Sequence, residues 1–241
     1  MDLKDNKNIH ILTHLGNGDH IICNGMIRKL ASSKDIKSIT TYCIENNKRN
    51  IEFMFRDENK IKVKSILPTE EKALFQTFQR LALRDNIFLI GYTFTDKYRY
   101  KHLHSFDETF YKQIGMQFDI RFDNFYIERD LDNEMKAFDQ LTSDKKEYIY
   151  VHDDSARGFN IDRNKIKSNL PEVVNCFDYN IFQMRKVLEN AKEIHTMQTG
   201  MFDFCNSIDL SCPIYVHRYV RKYTNFLLSK MNKNNRYILV D

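Results

Sequence analysis

Apolar residues along this chain gather in short runs that switch repeatedly between strand-like and helix-like spacing. Ile9-His10-Ile11-Leu12-Thr13-His14 is a β-prone run that stops at Gly16-Asn17-Gly18-Asp19. From His20 to Leu30 the apolar positions Ile21, Ile22, Met26, Ile27 and Leu30 recur at helical spacing, so strand, glycine loop and helix are predicted. Further strands are predicted at 38–44, 61–63 and 87–92, with a mixed stretch at 45–57. A helix opens at Pro68-Thr69-Glu70-Glu71, where proline suits the first turn and the acids complement the positive dipole end, and it runs through Leu74, Phe78 and Leu81 to Arg84. An aromatic, basic loop from Tyr98 to His102 precedes a predicted helix at 106–114 and an extended stretch at 122–127. The pattern then restarts with helix 134–141, strand 148–152, polar loop 153–158 and strand 173–177. An amphipathic helix at 181–191, carried by Ile181, Met184, Val187, Leu188 and Ala191, leads to strand 193–196, helix 200–207, strand 213–217, helix 221–231 and strand 236–240.

Strands that alternate with helices predict parallel sheets covered on both faces and joined by right-handed crossovers. The fold class expected is α/β, with two small Rossmann-like parallel-sheet lobes and a cleft between them. Phe125-Tyr126-Ile127-Glu128-Arg129 closes the first half, which gives lobes at 1–129 and 130–241. No linker rich in Pro, Gly or Ser marks the join, so a single wide sheet is the alternative. No internal repeat or low-complexity tract is present.

Composition narrows the class. With 241 residues, 42% hydrophobic and 29% charged, the chain has enough apolar material for one large or two small cores, and this balance argues against disorder. No stretch approaches the roughly 20 apolar residues that span a bilayer, and the polar leader Met1 to Asn8 lacks the apolar region of a signal peptide, so a cytoplasmic location is expected. Five cysteines without a C-x-x-C pair predict reduced thiols instead of a disulfide framework or zinc knuckle. The net charge of +4 is dispersed among acids along the chain, which argues against a nucleic-acid partner and suits a small anionic ligand.

Only seven glycines occur, yet Gly16, Gly18 and Gly25 lie within ten residues after the first strand. Glycines at a strand-to-helix turn let the backbone approach a ligand, and the helix N-terminus beyond offers free N–H groups to an anion, but a tight turn alone explains them equally well. The loop is not the dinucleotide fingerprint, which would need a third glycine where Ile21 stands.

The run from His14 to Gly25, HLGNGDHIICNG, resembles the first βα loop of bacterial glycosyltransferases related to the ADP-heptose:lipopolysaccharide heptosyltransferases, in which a Gly-Asp pair follows the first strand. Phe110 to Gly115, Phe125 to Arg129, Val151 to Asp154 with Arg157-Gly158, and Ala191 to His195 are similar, in the same order, to later landmarks of such proteins from surface-polysaccharide gene clusters. The resemblance implies a GT-B enzyme, metal-independent and inverting, that takes a nucleotide-sugar donor and a glycan or lipid-linked saccharide acceptor and needs no cofactor. The first lobe would face the acceptor and the second would bind the nucleotide sugar. Two features depart from the pattern: the chain is shorter than the usual two-domain heptosyltransferase, and the element that there reads Asp-Ser-Gly before a histidine is Met197-Gln198-Thr199-Gly200-Met201 here.

Within that resemblance Asp19 is the general base that takes the acceptor proton, with His20 as the alternative base. Against this, a helix dipole would lower the pKa of Asp19, and an aspartate before a helix is often an N-cap. Gly16, Gly18, Asn24 and Arg28 are candidate substrate contacts on the same loop and helix. In the second lobe His152, Asp154 and Arg157 follow a strand, where Arg157 would clamp the pyrophosphate; an Asx-turn with a solvated arginine is the plain alternative. His195, Gln198 and Thr199 form a third loop, which would hold phosphate at a helix start or simply supply a Thr199 cap. His217 and Arg221, four apart, would share a helix face if the last helix began that early and could then reach the diphosphate, or they belong with Tyr219 and Tyr223 to a solvated surface. Asp130-Leu131-Asp132 spells a manganese motif of another glycosyltransferase class, but two acids at a predicted helix start read as a cap, and His102-x-His104 has no further ligand near it in sequence. No metal site is expected. The competing readings are a catalytically idle nucleotide- or glycan-binding module and a nicotinamide-dependent oxidoreductase.

Overall fold

The computed structural model describes residues 7–81, 86–91, 106–221 and 231–241. The predicted ends of the helix at Arg84 and of the strand at Tyr92, the loop from Tyr98 to His102, His102-x-His104, and most of the helix predicted at 221–231, Tyr223 included, lie outside the described residues. The chain divides into two compact units, Met1–Glu128 and Arg129–Asp241.

Unit 1 carries β1 (Lys7–Leu12), β2 (Ile36–Ile44), β3 (Ile61–Ile66) and β4 (Ile87–Leu89), all parallel, in the order β3-β2-β1-β4. The connection from β1 runs to β2 on one side, and β4 returns on the other, so the strand order reverses between β1 and β4. In open parallel sheets that reversal opens a crevice at the carboxyl ends of the strands. Helix α1 (Asn17–Ala31) fills the space above the sheet and is buried nearly all round. Gly25 is the reason: a Cβ there would lie 2.3 Å from the carbonyl oxygen of Ile120, so α5 (Ile120–Asp123) crosses α1 with backbone against backbone. Residues 122–127 were expected as an extended stretch. Phe122 and Asp123 instead close α5, and beyond them Asn24 binds both backbone groups of Tyr126 (Nδ2 to O 3.2 Å, N to Oδ1 3.0 Å), so that segment joins no sheet. The mixed stretch becomes α2 (Lys48–Phe55), whose Ile51, Met54 and Phe55 turn inward at helical spacing. Helices α3 (Glu71–Leu81) and α4 (Phe106–Gln113) complete the unit.

Unit 2 carries β5 (Ile149–Val151), β6 (Glu172–Val174), β7 (Glu193–Thr196), β8 (Ile214–His217) and β9 (Tyr237–Val240), parallel and ordered β6-β5-β7-β8-β9. Its reversal falls between β5 and β7. Helices α6 (Leu131–Thr142), α7 (Arg185–Asn190) and α8 (Gly200–Cys205) accompany the sheet. Helix α7 starts four residues later than its periodicity suggests, because the Asn180 side chain accepts the N–H groups of Phe182 and Gln183, both at 3.0 Å, and holds 181–184 in a turn. Ile149, Val151, Ile161 and Met197 form a core beneath the segment 153–170, which contains only two short 3-10 turns, Ser155–Arg157 and Arg163–Lys165. Among the described residues no helix is long and apolar enough to cross a membrane.

Candidate functional site

In unit 1 the loop that follows β1 lies at the strand reversal, where open parallel sheets bind their ligands. Gly16 is the N-cap of α1 and has extended backbone, so the helix begins three residues earlier than its apolar spacing indicates. Gly18 occupies the second helical position. Asp19 is therefore the third helical residue and not the cap; its carboxylate folds back to accept the N–H groups of Gly16 and of Asp19 itself. A Cβ on Gly16 would sit 2.8 Å from Asp19 Oδ2, so the glycine makes room for this folded-back carboxylate. Asparagine 47 fixes the loop from the far side, donating to the Leu15 carbonyl at 2.9 Å. Burial pushes the Asp19 carboxyl up to about 6, and the opposing influences of His14 and of the two backbone N–H groups leave it there. Desolvation thus overrides the helix dipole that was expected to lower it.

Three residues that were not named as site candidates, His14, Gly91 and Gln113, lie beside this loop. The His14 imidazole lies 6.0 Å from the Phe110 ring and presses on Gly91 just beyond β4, where a Cβ would come within 2.6 Å of the ring; φ of +87° makes glycine the fitting residue there. Gln113, at the end of α4, accepts the Gly91 N–H at 2.8 Å and so ties that turn to the helix. The signal for His14 was present, since it ends the first strand within the quoted loop. Nothing local links it to Gly91 or Gln113.

The other sequence candidates of unit 1 are committed to structure. His20 is fully buried, with Nδ1 2.9 Å from the Gly16 carbonyl and Nε2 3.3 Å from the Thr41 hydroxyl, and burial lowers its pKa. Both ring nitrogens are thus engaged beneath the loop and out of reach of an acceptor. Asn24 serves Tyr126, as described above. Arg28 makes a two-pronged pair with Asp57 (2.9 and 2.7 Å), donates to the Met54 carbonyl and lies over the rings of Phe55 and Tyr126, so it clamps α1 to the end of α2.

In unit 2 the loops after β5 and β7 meet at the second strand reversal, where the His152 N–H donates to the His195 carbonyl at 2.9 Å. The His152 Nδ1 is buried with no hydrogen-bond partner among the described residues, and burial lowers its pKa to about 4. Asp154 and Phe159 exchange backbone hydrogen bonds, closing a turn with Gly158 at φ of +76°. Arg157 projects from that turn 59% exposed and forms an ion pair with Asp154 at 2.7 Å. Neighbouring Asp153 belongs to the scaffold, accepting from Ile161 N and from both prongs of Arg163. In the β7–α8 loop Thr199 has the N-cap position without a side-chain cap; its hydroxyl donates instead to the Met197 carbonyl at 3.3 Å. Arg221 reaches the same loop and donates to the Gln198 carbonyl at 2.8 Å.

His195 and His217 are placed differently from their neighbours in sequence. His217 ends β8, in keeping with the strand predicted at 213–217, and so shares no helix face with Arg221; the His195 and His217 imidazoles are both 1% exposed and bonded to each other at 3.0 Å beneath the covering segment. They do not line the loop surface. Asp130 accepts from Asn133 N and Gln183 Nε2 as the N-cap of α6, with Asp132 in the helix's first turn. Among the described residues no group of three or more His, Cys, Asp or Glu is arranged to hold a metal ion.

No family model matches this chain, and no curated protein sequence matches it. Its fold does have solved counterparts. It is similar to the crystal structure of a glycosyl transferase of family 9 from Veillonella parvula, with a TM-score of 0.57 and 12% identity over 100% of this chain and 87% of that one. It is likewise similar to ADP-heptose lps heptosyltransferase II of E. coli, with a TM-score of 0.53 and 8% identity over 95% of this chain and 90% of that one. The fold is that of GT-B glycosyltransferases, as the loop resemblance implied, and at these identities the fold is what is shared.

Proposed function

We propose that this chain is a metal-independent, inverting glycosyltransferase that moves a sugar from a nucleotide-sugar donor to a hydroxyl of a glycan or lipid-linked saccharide acceptor. The observation that carries this reading is Asp19, a carboxyl group at a strand-reversal crevice whose pKa is pushed up to about 6. A base poised near working pH takes a proton most effectively, and a carboxylate so placed has the chemistry that glycosyl transfer requires. Asp19 takes the proton of the acceptor hydroxyl as its oxygen bonds to the anomeric carbon. The bond from that carbon to the donor phosphate breaks in the same displacement, and its electron pair leaves on the diphosphate. Because the carboxylate acts as base and not as nucleophile, one displacement occurs and configuration inverts. Arg157 and Arg221 are the guanidinium groups assigned to the leaving diphosphate, supported by the exposure of the first and the attachment of the second to the β7–α8 loop. His20 positions the loop through Gly16.

A thermal-shift screen against nucleotides and nucleotide sugars identifies the donor, since a ligand at 100 times its Kd stabilises by about 2.7 kcal/mol. Transfer is then assayed in the presence of a chelator. Asp19→Asn is expected to slow it by about 10²–10⁴ with donor affinity retained, and the parent's kcat/KM is expected to rise with pH to a plateau above about 6. Parental turnover by Asp19→Asn, or turnover lost to the chelator and restored by manganese, overturns the mechanism. A response to NAD alone would point to an oxidoreductase, and donor binding with neither transfer nor hydrolysis to a binding module.

A further inference from the structure

Glu193, His195, His217 and Tyr219 form one hydrogen-bonded series along a face of the unit 2 sheet. Glu193 Oε2 is 3.1 Å from His195 Nε2, His195 Nδ1 is 3.0 Å from His217 Nε2, and His217 Nδ1 is 3.1 Å from the Tyr219 hydroxyl, which accepts the Asp162 N–H at 2.9 Å. The imidazoles are buried, whereas Glu193 at the start of β7 and Tyr219 just beyond β8 are both partly exposed. The series therefore runs through the interior from the amino edge of the sheet to its carboxyl edge.

Donor and acceptor parity fixes the protons. An ionised carboxylate only accepts, so His195 donates from Nε2, and a neutral imidazole then offers Nδ1 as acceptor. His217 accordingly donates from Nε2, its Nδ1 accepts, and Tyr219 must turn its O–H inward. One added proton reverses every link beyond Glu193: His195 donates from both nitrogens, His217 carries its hydrogen on Nδ1, and Tyr219 accepts from it. The phenolic hydrogen is then released to point outward at the carboxyl edge.

We propose that this array couples anion binding to proton uptake: when the diphosphate of a nucleoside diphosphate docks at the carboxyl edge of β7 and β8, the His195–His217 pair gains one proton from solvent and Tyr219 turns its O–H to a phosphate oxygen. The inference rests on the reading of unit 2 as the nucleotide-binding half. The charged surroundings support it. Strand β7 supplies Glu193 and β6 Glu172; β8 supplies Tyr215, which stacks on His195 at 4.5 Å. The covering segment supplies Asp153, Asp162, Arg163 and Lys165, the last with its ammonium 4.5 Å from the Tyr219 ring centre. Burial first, then His195, Lys165 and Arg163, hold His217 down to about 4, and burial outweighs Glu193 in lowering His195. A dianion arriving beside Lys165 and Arg163 offsets the two cations and lets the pair accept the proton, which a neutral ligand would not do.

The test is calorimetric titration with whichever of ADP, UDP, GDP and CDP binds tightest, in two buffers of different ionisation enthalpy at each of several pH values. The parent is expected to take up about one proton more per ligand bound than Tyr219→Phe or His217→Gln, and its affinity to fall by up to about tenfold more per pH unit as pH rises. Comparing parent with variant cancels the titration of the ligand's own phosphates. Tyr219→Phe alters a partly exposed residue and keeps the fold if His217→Gln does not. His152→Asn must retain the uptake. Equal uptake in the parent and both array variants, or uptake lost only in His152→Asn, overturns the coupling and leaves the nucleotide reading standing; failure of the parent to bind any of the four overturns both.

Discussion

Asp19 is held in its folded-back pose against its own preference for water. Its folded pKa of about 6 lies above the ordinary 3.8, so the folded chain binds this proton more tightly than the unfolded chain does. The stability that goes with the proton is complete below about pH 4 and is lost as pH rises through about 6. At neutral pH the ionised carboxylate therefore costs stability, as functional groups in crevices often do. Asp19→Asn keeps an oxygen for the N–H groups of Gly16 and residue 19 while removing the charge. It is expected to melt higher than the parent near pH 8, by about 1–3 kcal/mol, and to converge with it near pH 4. A lower melting temperature near pH 8, followed by scanning calorimetry, would instead identify the carboxylate as a stabilising partner of the helix dipole.

At the scale of elements, alternating periodicity was enough to read nearly every strand, because parallel strands buried on both faces are written as short apolar runs whatever lies around them. The errors share one cause: a side chain distant in sequence, or a polar turn, captures backbone that local propensity would have placed otherwise. Asn24 pins Tyr126 within a stretch that was read only as extended, and Asn180 takes the first turn of a predicted helix. Site residues divide in the same way. The contact between Gly16 and Asp19 was legible because it joins residues three apart. The meeting of His14 with Gly91 and Gln113, and the joining of Glu193, His195, His217 and Tyr219 into one series, were not, since sheet register and helix packing bring these residues together and leave no local trace. Asn24 and Arg28 sat in a promising loop and helix but turned out to hold elements together. Gly25, counted with the ligand glycines, marks the crossing of α1 and α5. Gly25→Ala drives a methyl into the Ile120 carbonyl and is expected to destabilise by about 1–3 kcal/mol, read from the denaturant midpoint. No change in that midpoint would mean that α5 does not seat there.

At the scale of the whole molecule, each unit places its candidate chemistry where its strand order reverses, between β1 and β4 in one and between β5 and β7 in the other. The reversal in unit 1 has a consequence for folding. Strands β1, β2 and β3 follow one another along the chain, but β4 must return to β1 from far downstream, pairing Ile87 with His10. Long-range closures cost more chain entropy before they are rewarded, and here the reward is a half-buried strand of three residues at the sheet's edge. Hydrogen exchange under native conditions is expected to show the Ile90 amide, bonded to Leu12 at 2.8 Å, opening at least about tenfold more readily than the β1–β2 amides. Equal protection would mean that the sheet opens as one piece. With β4 joining last and leaving first, the wall that holds His14 beside Asp19 is assembled only after the rest of the sheet exists, so under mild denaturation the parent should lose transfer before it loses its helices.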